Sequence, residues 1–519
     1  MKLLKSTAKV GAATIISRVL GFVRDMVFAR YFGASAATDA FFLAFKIPNF
    51  MRRLFAEGSF SLAFVPVLSE VRATGDRHAL RDLIDHVSGT LFSILLVVTA
   101  IGVLAAPAVL AIFAPGWLIE GRPEFHLAAD MLRITFPYIL LISLTALAGG
   151  ILNSFDRFLV PALTPALLNI SLIAAAVLLS VRLEVPVMAL AWGVLVAGVL
   201  QLLVQLPALM RLGVLPRPRW GWRHPGVRRV LKLMIPTLIG SSVAQVNLLL
   251  DLVIATFLVS GSVSWLYYSD RLMEFPLGVF GVALSTVILP NLSRKFARNN
   301  PEAFSHTLDW ALRLAAVITL PAALGLAVLA KPILVTLFQY QAFDVGDVEM
   351  SALSLAAYAA GLPAFIAVKV LAPGFYARQD TKTPVKIAIT AMVANMVMNF
   401  IFVGVLLYLG FKGPHTGLAL ASSAAAYVNA GLLYRMLRRQ GAYRPEPGWS
   451  RVLFAVAAAC AAMVLALLWQ YGDLAGWVQA SAVLRASHLC LLIGLGVVVY
   501  GLVLVGSGLR PRHLAKGAS

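Results

Sequence analysis

The sequence predicts an all-α polytopic membrane protein with 14 transmembrane helices. Of its 519 residues 60% are hydrophobic and 13% charged, and the mean hydropathy is +0.87; a soluble chain is nearer half apolar and a quarter charged. The apolar residues gather in runs of about 20, the length at which a helix crosses the hydrocarbon core. Lys and Arg favour alternate loops, as expected of segments kept on the cytoplasmic side.

The first two spans, 8–32 and 36–65, contain S-R-V-L-G-F-V-R-D and T-D-A-F-F-L-A-F-K-I-P-N-F-M-R-R-L-F-A-E. The first carries Arg18, Arg24 and Asp25, and the second carries Asp39, Lys46, Arg52, Arg53 and Glu57. One charge at mid-bilayer costs about 2.5–3.5 kcal/mol even on the lenient insertion scale. Several are tolerable only against a watery cavity or against each other, and the excess of arginine points to an anionic ligand. At the helical period Arg18 and Asp25 share one stripe, with Arg24 beside Asp25. Arg52, Arg53 and Glu57 lie in the cytoplasmic half of their span, where snorkelling to the interface is the structural alternative for one of them.

Apolar spans follow near 87–112, 128–152, 160–181 and 186–208, and then a basic loop from Arg211 to Arg229. That loop reads as a topogenic linker facing lipid headgroups. A second set falls near 230–258, 263–292, 307–329, 349–374, 384–408 and 415–436, with two more near 451–471 and 486–507. Pro48, Pro137, Pro276 and Pro363 sit inside spans and are expected to kink the helix or end a turn. With the N-terminus inside, only Arg30, Arg122, Arg182, Lys331, Lys412 and Arg485 of the 43 Lys and Arg fall on the outer side. Both termini are therefore expected in the cytoplasm.

Pro66, Leu68 and Ser69 recur 224 residues later as Pro290, Leu292 and Ser293, and Gly150 and Asp156 recur as Gly374 and Asp380. Six spans per half is an even number, so the repeats insert in parallel, as in transporters whose site lies where the two bundles meet. The expected layout is an N-lobe (1–210), a basic cytoplasmic linker (211–229), a C-lobe (230–440), and two extra helices with a basic tail (441–519). The two six-helix lobes would surround a central cationic cavity.

In the eighth span Tyr267, Asp270, Arg271 and Glu274 form one polar face, and Arg271 is placed to pair with Glu274. Such a pair rarely stabilises a fold over apolar residues, which favours function over a purely structural ion pair. The seventh span offers Asn247 and Asp251, and the eleventh Asn395 and Asn399. Asp251, Asn395 and Asn399 make a candidate site for Na⁺ or H⁺ as coupling ion; helix-packing hydrogen bonds explain the Asn residues equally well. No other cofactor is expected.

The eight His are scattered without ligand spacing, so no metal site is expected, and no catalytic residues are indicated. Cys460 and Cys490 read as small buried apolar residues. There is no Walker A sequence and no Ser-His-Asp set. The net charge of +20 is spread through short loops, which speaks against nucleic acid.

R-V-L-G-F-V-R-D (18–25), the run from Thr38 to Glu70, R-L-M-E-F-P-L-G-V-F-G-V-A-L-S-T-V-I-L-P (271–290) and A-P-G-F-Y-A-R-Q-D-T-K-T-P (372–384) closely resemble the MurJ (MviN) family. These are lipid II flippases of the multidrug/oligosaccharidyl-lipid/polysaccharide exporter superfamily. The resemblance implies two lobes around a cationic cavity, a lipid-tail groove formed by the two extra helices, and alternating access in the bacterial inner membrane. It implies substrate-binding roles for Arg18, Arg24, Asp39, Arg52 and Arg271. Asp25, Arg53, Glu57, Tyr267, Asp270 and Glu274 would support or gate them. Expected partners are lipid II, membrane lipids and cell-wall synthesis proteins. A flippase for another polyprenyl-linked oligosaccharide, and a non-transporting lipid-binding scaffold, are the alternatives.

Overall fold

The structure, a computed structural model, describes residues 2–52 and 60–509, and among these every regular element is a helix. The chain divides into two compact units, Met1–Val263 and Ser264–Ser519. The basic linker 211–229 and the helix after it fall inside the first unit.

The first unit contains α1 (Lys2–Phe32), α2 (Ala36–Met51), α3 (Ser61–Ala73), α4 (Arg77–Leu104), α5 (Ala106–Phe113) and α6 (Pro115–Ile119). It continues with α7 (Pro123–Thr135), α8 (Tyr138–Ser154), α9 (Leu159–Ala174), α10 (Met188–Leu212) and α11 (Pro225–Ala255). Polar side chains start several of them: Ser35 accepts from the Thr38 amide at α2, and Asp76 accepts from the His78 and Ala79 amides at α4. Each such cap satisfies amides that the first turn leaves orphaned. The core of this unit joins Phe64 and Leu68 of α3, Leu83 and Val87 of α4, Ile151 of α8 and Leu209 of α10. Val227 and Val230 of α11 complete it, which is why α11 belongs with this unit.

From the unit boundary onward run α12 (Ser262–Pro276), α13 (Val282–Ala297), α14 (Pro301–Val328), α15 (Ala330–Leu337) and α16 (Val345–Tyr376). They are followed by α17 (Lys382–Tyr408), α18 (Thr416–Arg439), α19 (Trp449–Gln470), α20 (Leu474–Gln479) and α21 (Ala482–Gly506). One core of the second unit packs Ile288, Leu292, Leu308, Ile366, Phe375 and Leu437. A separate one seats Val456, Ala459 and Cys460 of α19 and Leu504 of α21 against Val317 of α14. Cys460 is buried as expected, whereas Cys490 is exposed, because its turn of α21 faces away from the rest of the unit.

The sequence offset of 224 recurs in the elements. Helix α4 and helix α14 are both 28 residues long and start at Arg77 and Pro301, and α5 and α15 are both 8 residues long and start at Ala106 and Ala330. Each long helix is preceded by a left-handed residue, Gly75 (φ 77°) or Asn299 (φ 49°), and capped by Asp76 or Asn300. Gly and Asn are the residues that enter this region at low cost.

Among the described residues eleven helical segments are long and apolar enough to cross a membrane, which makes the chain a polytopic membrane protein. They match the expected spans except 8–32, 36–65 and 230–258. The first of these is interrupted by Arg18, Arg24 and Asp25, and the second includes residues outside those described. The expected span 87–112 differs in form: α4 starts at Arg77 and the chain bends at Ala105 before α5. Pro137 and Pro276 act as expected, while Pro48 lies inside α2. Pro48 falls in the last turn of α2, Pro137 separates α7 from α8, and Pro276 ends α12 ahead of a widened turn at Leu277–Gly281. Pro363 lies within an uninterrupted α16.

Candidate functional site

In the first unit Arg24 is a buried, partnered cation. Its Nε and Nη2 donate to Asp25 Oδ1 at 3.0 and 2.7 Å, and its Nη1 donates to Asn169 Oδ1 on α9 at 3.1 Å. The Asn169 amide in turn donates to the Ser17 carbonyl at 3.0 Å, which fastens α9 to α1. Asp25 is 0% exposed and Arg24 8%. Of the two settings the sequence allows for such a charge, a watery cavity or a charge partner, Arg24 has a partner in Asp25, the next residue along the helix.

Arg18, a turn and a half earlier on α1, is exposed, and Lys46 on α2 is half-buried. Neither makes a hydrogen bond or ion pair among the described residues. Arg52, after the last turn of α2, donates from Nε and Nη2 to Asn49 Oδ1 at 3.0 and 2.9 Å. That contact pre-orients the guanidinium. Arg53 and Glu57 lie outside the described residues.

Asp39 is 1% exposed in the first turn of α2, and its Oδ2 accepts from the Gly261 amide at 2.7 Å. Gly261 is left-handed (φ 97°), a conformation that favours glycine. Asp39 thus sits at the positive end of a helix and ties α2 to the loop after α11. Nearby, Ser260 donates to Glu124 Oε1 at 2.5 Å and the Arg122 guanidinium donates to the Leu258 carbonyl at 2.6 Å, fastening the same loop to α7.

In the second unit Arg271 Nη1 lies 3.1 Å from Glu274 Oε2, the pair its spacing predicts. Their side chains are 32% and 46% exposed, so the pair stands in an accessible face rather than in a core. Tyr267 and Asp270, on the same side of α12, are half-buried.

Of the candidate cation ligands, Asp251 is half-buried on α11 in the first unit, and the Asn247 side chain lies outside those described. Asn395 and Asn399 are buried on α17 of the second unit, and Asn395 Nδ2 donates to Ser422 Oγ of α18 at 3.3 Å. That bond matches the helix-packing reading for Asn395.

Sequence reading passed over Asn49 and Asn169, the amides that hold Arg52 and Arg24. Both are Asn residues within apolar runs beside the arginine motifs, a signal available without a structure. The expectation of no metal-ligand cluster is revised, since Asp82, His86 and His224 bring one ligand atom each within 4.8 Å of one another. The linker is also more than a tether. Its Arg217 and Arg219 amides donate to Asp85 Oδ1 and to the Asp85 carbonyl, and its Gly221 amide donates to Thr90 Oγ1.

Charged residues held by one another and by side-chain amides within a polytopic helical bundle are the setting of a membrane transport protein. The family profile of lipid II flippase MurJ matches residues 28–487. A probable lipid II flippase MurJ of Vibrio cholerae serotype O1 is 50% identical over 99% of this chain and 98% of its own length. The lipid II flippase MurJ of Burkholderia cenocepacia is 46% identical over 90% of this chain and 89% of its own. A solved lipid II flippase MurJ in an inward closed conformation superposes with a TM-score of 0.79 at 27% identity, covering 95% of this chain and 97% of that one. An inward-facing multidrug resistance MATE family transporter of the MOP superfamily shares the fold, with a TM-score of 0.66 at 15% identity over 83% of this chain and 98% of that one. The chain belongs to the MurJ family.

Proposed function

We propose that the protein is a lipid II flippase that carries the undecaprenyl-pyrophosphate-linked peptidoglycan precursor from the cytoplasmic to the periplasmic leaflet of the inner membrane. The observation that carries this reading is the 50% identity to a probable flippase over nearly the whole of both chains. The cargo's pyrophosphate is the anion that the arginines would meet. Planar guanidinium groups bind such an anion bidentately, which an ammonium cannot do. Arg18, Arg52 and Arg271 would bind it, with Arg24 and Asp39 holding the helices that present them.

The proposal retains the arrangement expected from sequence: fourteen spans with both termini in the cytoplasm, two parallel six-helix lobes sharing a cationic cavity, and two extra helices for the lipid tail. The matched helix pairs 224 residues apart and the likeness to an inward closed flippase support alternating access. Net direction would come from the membrane potential, worth about 2.3 kcal/mol per charge at 100 mV, pulling unloaded cations back inward. Na⁺ or H⁺ at Asp251, Asn395 and Asn399 is the competing source. Clamping the potential at zero with an ion gradient kept, then the reverse, separates the two; transport at zero potential that is lost in Asp251→Asn removes the first.

The direct genetic test is replacement of the flippase in a depletion strain. The chain is expected to restore growth and cell shape. Accumulation of lipid II in the inner leaflet despite normal insertion would contradict the assignment.

A further inference from the structure

A second site lies away from the arginines, where the linker meets the start of α4. Asp82 and His86 stand one turn apart on α4, and His224 reaches them from the last residue before α11. His224 Nε2 lies 3.0 Å from Asp82 Oδ2, and His86 Nδ1 lies 3.2 Å from Asp82 Oδ1. The two imidazole rings stack, with centroids 4.7 Å apart and planes 9° from parallel. The position is built rather than incidental: a Cβ at Gly221 would meet the His86 ring at 2.5 Å, so the linker approaches as closely as glycine allows.

The geometry points to a transition-metal site of the Zn²⁺ class at Asp82, His86 and His224. Two imidazoles and one carboxylate are a donor set that borderline dications prefer, whereas Mg²⁺ and Ca²⁺ require oxygen ligands. Ligands about 2.0–2.1 Å from a tetrahedral ion sit roughly 3.3 Å from one another, close to the separations found here. His86 Nδ1 also lies 2.8 Å from the Asp82 carbonyl, a contact it would give up as its Nδ1 lone pair turns to the ion and the ring proton moves to Nε2. His224 changes likewise. Its Nδ1 now accepts from the Gly226 amide at 3.2 Å, so its Nε2 proton points at Asp82. The ion takes the Nε2 lone pair, the ring proton moves to Nδ1, and the Gly226 amide turns to water.

The consequence is mechanical. An ion held by α4 and by the linker staples the connection that joins the two halves of the sequence, and fixes the basic segment between Arg217 and Arg228 against α4.

The test uses the full chain, purified in detergent on an affinity tag without histidine and stripped with a chelator. Zn²⁺ titrated by calorimetry should bind once per chain and resist millimolar Mg²⁺. His86→Ala and His224→Ala should each weaken binding tenfold or more, while His126→Ala and His306→Ala should leave it unchanged. Trypsin cleavage within the linker should slow when Zn²⁺ is added, and only in proteins that keep the three ligands. His224→Gln, which retains a donor toward Asp82 but no imidazole, should fold normally and lose the metal. Absence of saturable binding, or binding unchanged in His86→Ala with His224→Gln, would overturn the site.

Discussion

The Arg24 guanidinium lies 2.7 Å from the carboxylate of Asp25, the residue beside it in sequence, and the pair is buried between α1 and α9. Removing one member of a buried pair costs about 3–5 kcal/mol, because the remaining charge stays desolvated. Arg24→Ala is therefore expected to lower thermal stability and membrane yield, not transport alone. Arg24→Ala with Asp25→Ala should recover most of the stability in a detergent melting assay. Equal melting of Arg24→Ala and the wild type would show that the pair is not structural.

Asp39 provides a second structural test. Its bond from the Gly261 amide is charge-assisted, and such bonds contribute about 1.5–3 kcal/mol. Asp39→Ala should loosen the loop after α11, seen as faster amide exchange at residues 258–262. Asp39→Asn keeps an acceptor and should fall between the two; exchange unchanged in both variants would contradict the link.

Arg18 is exposed and Arg52 and Arg271 are half-buried, and the proposed function assigns all three to the anion. Each Ala variant is expected to insert normally and fail to support growth of a depletion strain, with Lys variants partly active because the bidentate fork is lost. Normal growth of two of the three Ala variants would remove the anion-site assignment.

Asp380 supplies a pH-dependent test outside the spans. Hydrogen bonding from Thr383, at the start of α17, holds its carboxyl below the usual range. A lowered folded value means that the stabilising contact is present above the unfolded pKa, about 3.9, and is lost as pH falls through the folded one. Protection of the Thr383 amide, its exchange relative to the intrinsic rate at each pH, should therefore fall at acid pH, and Asp380→Asn should remove that pH dependence. An identical profile in the variant would assign the effect elsewhere.

Eleven of the fourteen expected spans and the Arg271–Glu274 pair were legible in sequence because both rest on local periodicity: apolar runs, and residues three apart on one helix. Arg24 was only half legible. Its neighbour Asp25 is adjacent, but Asn169 is 145 residues away, and nothing local says that α9 packs there. The partner of Asp39 was not legible at all, since a backbone amide 222 residues later carries no side-chain signal. The same holds for Asp82 and His86, whose one-turn spacing gains meaning only when His224 arrives from the linker. The boundary between the units was hidden for a related reason. Helix α11 opens the second repeat in sequence, yet its Val227 and Val230 are buried with α3 and α4.

Headgroup translocation in vesicles tests the flippase assignment most directly. With purified protein and labelled lipid II reconstituted in sealed vesicles, the headgroup should become accessible to an added membrane-impermeant reagent faster than in protein-free vesicles. Arg18→Ala and Arg52→Ala protein at the same density should lose that increase. Translocation no faster with the wild-type protein than without it, under an inside-negative potential and with ion gradients present, would contradict the account and leave a lipid-binding scaffold in its place.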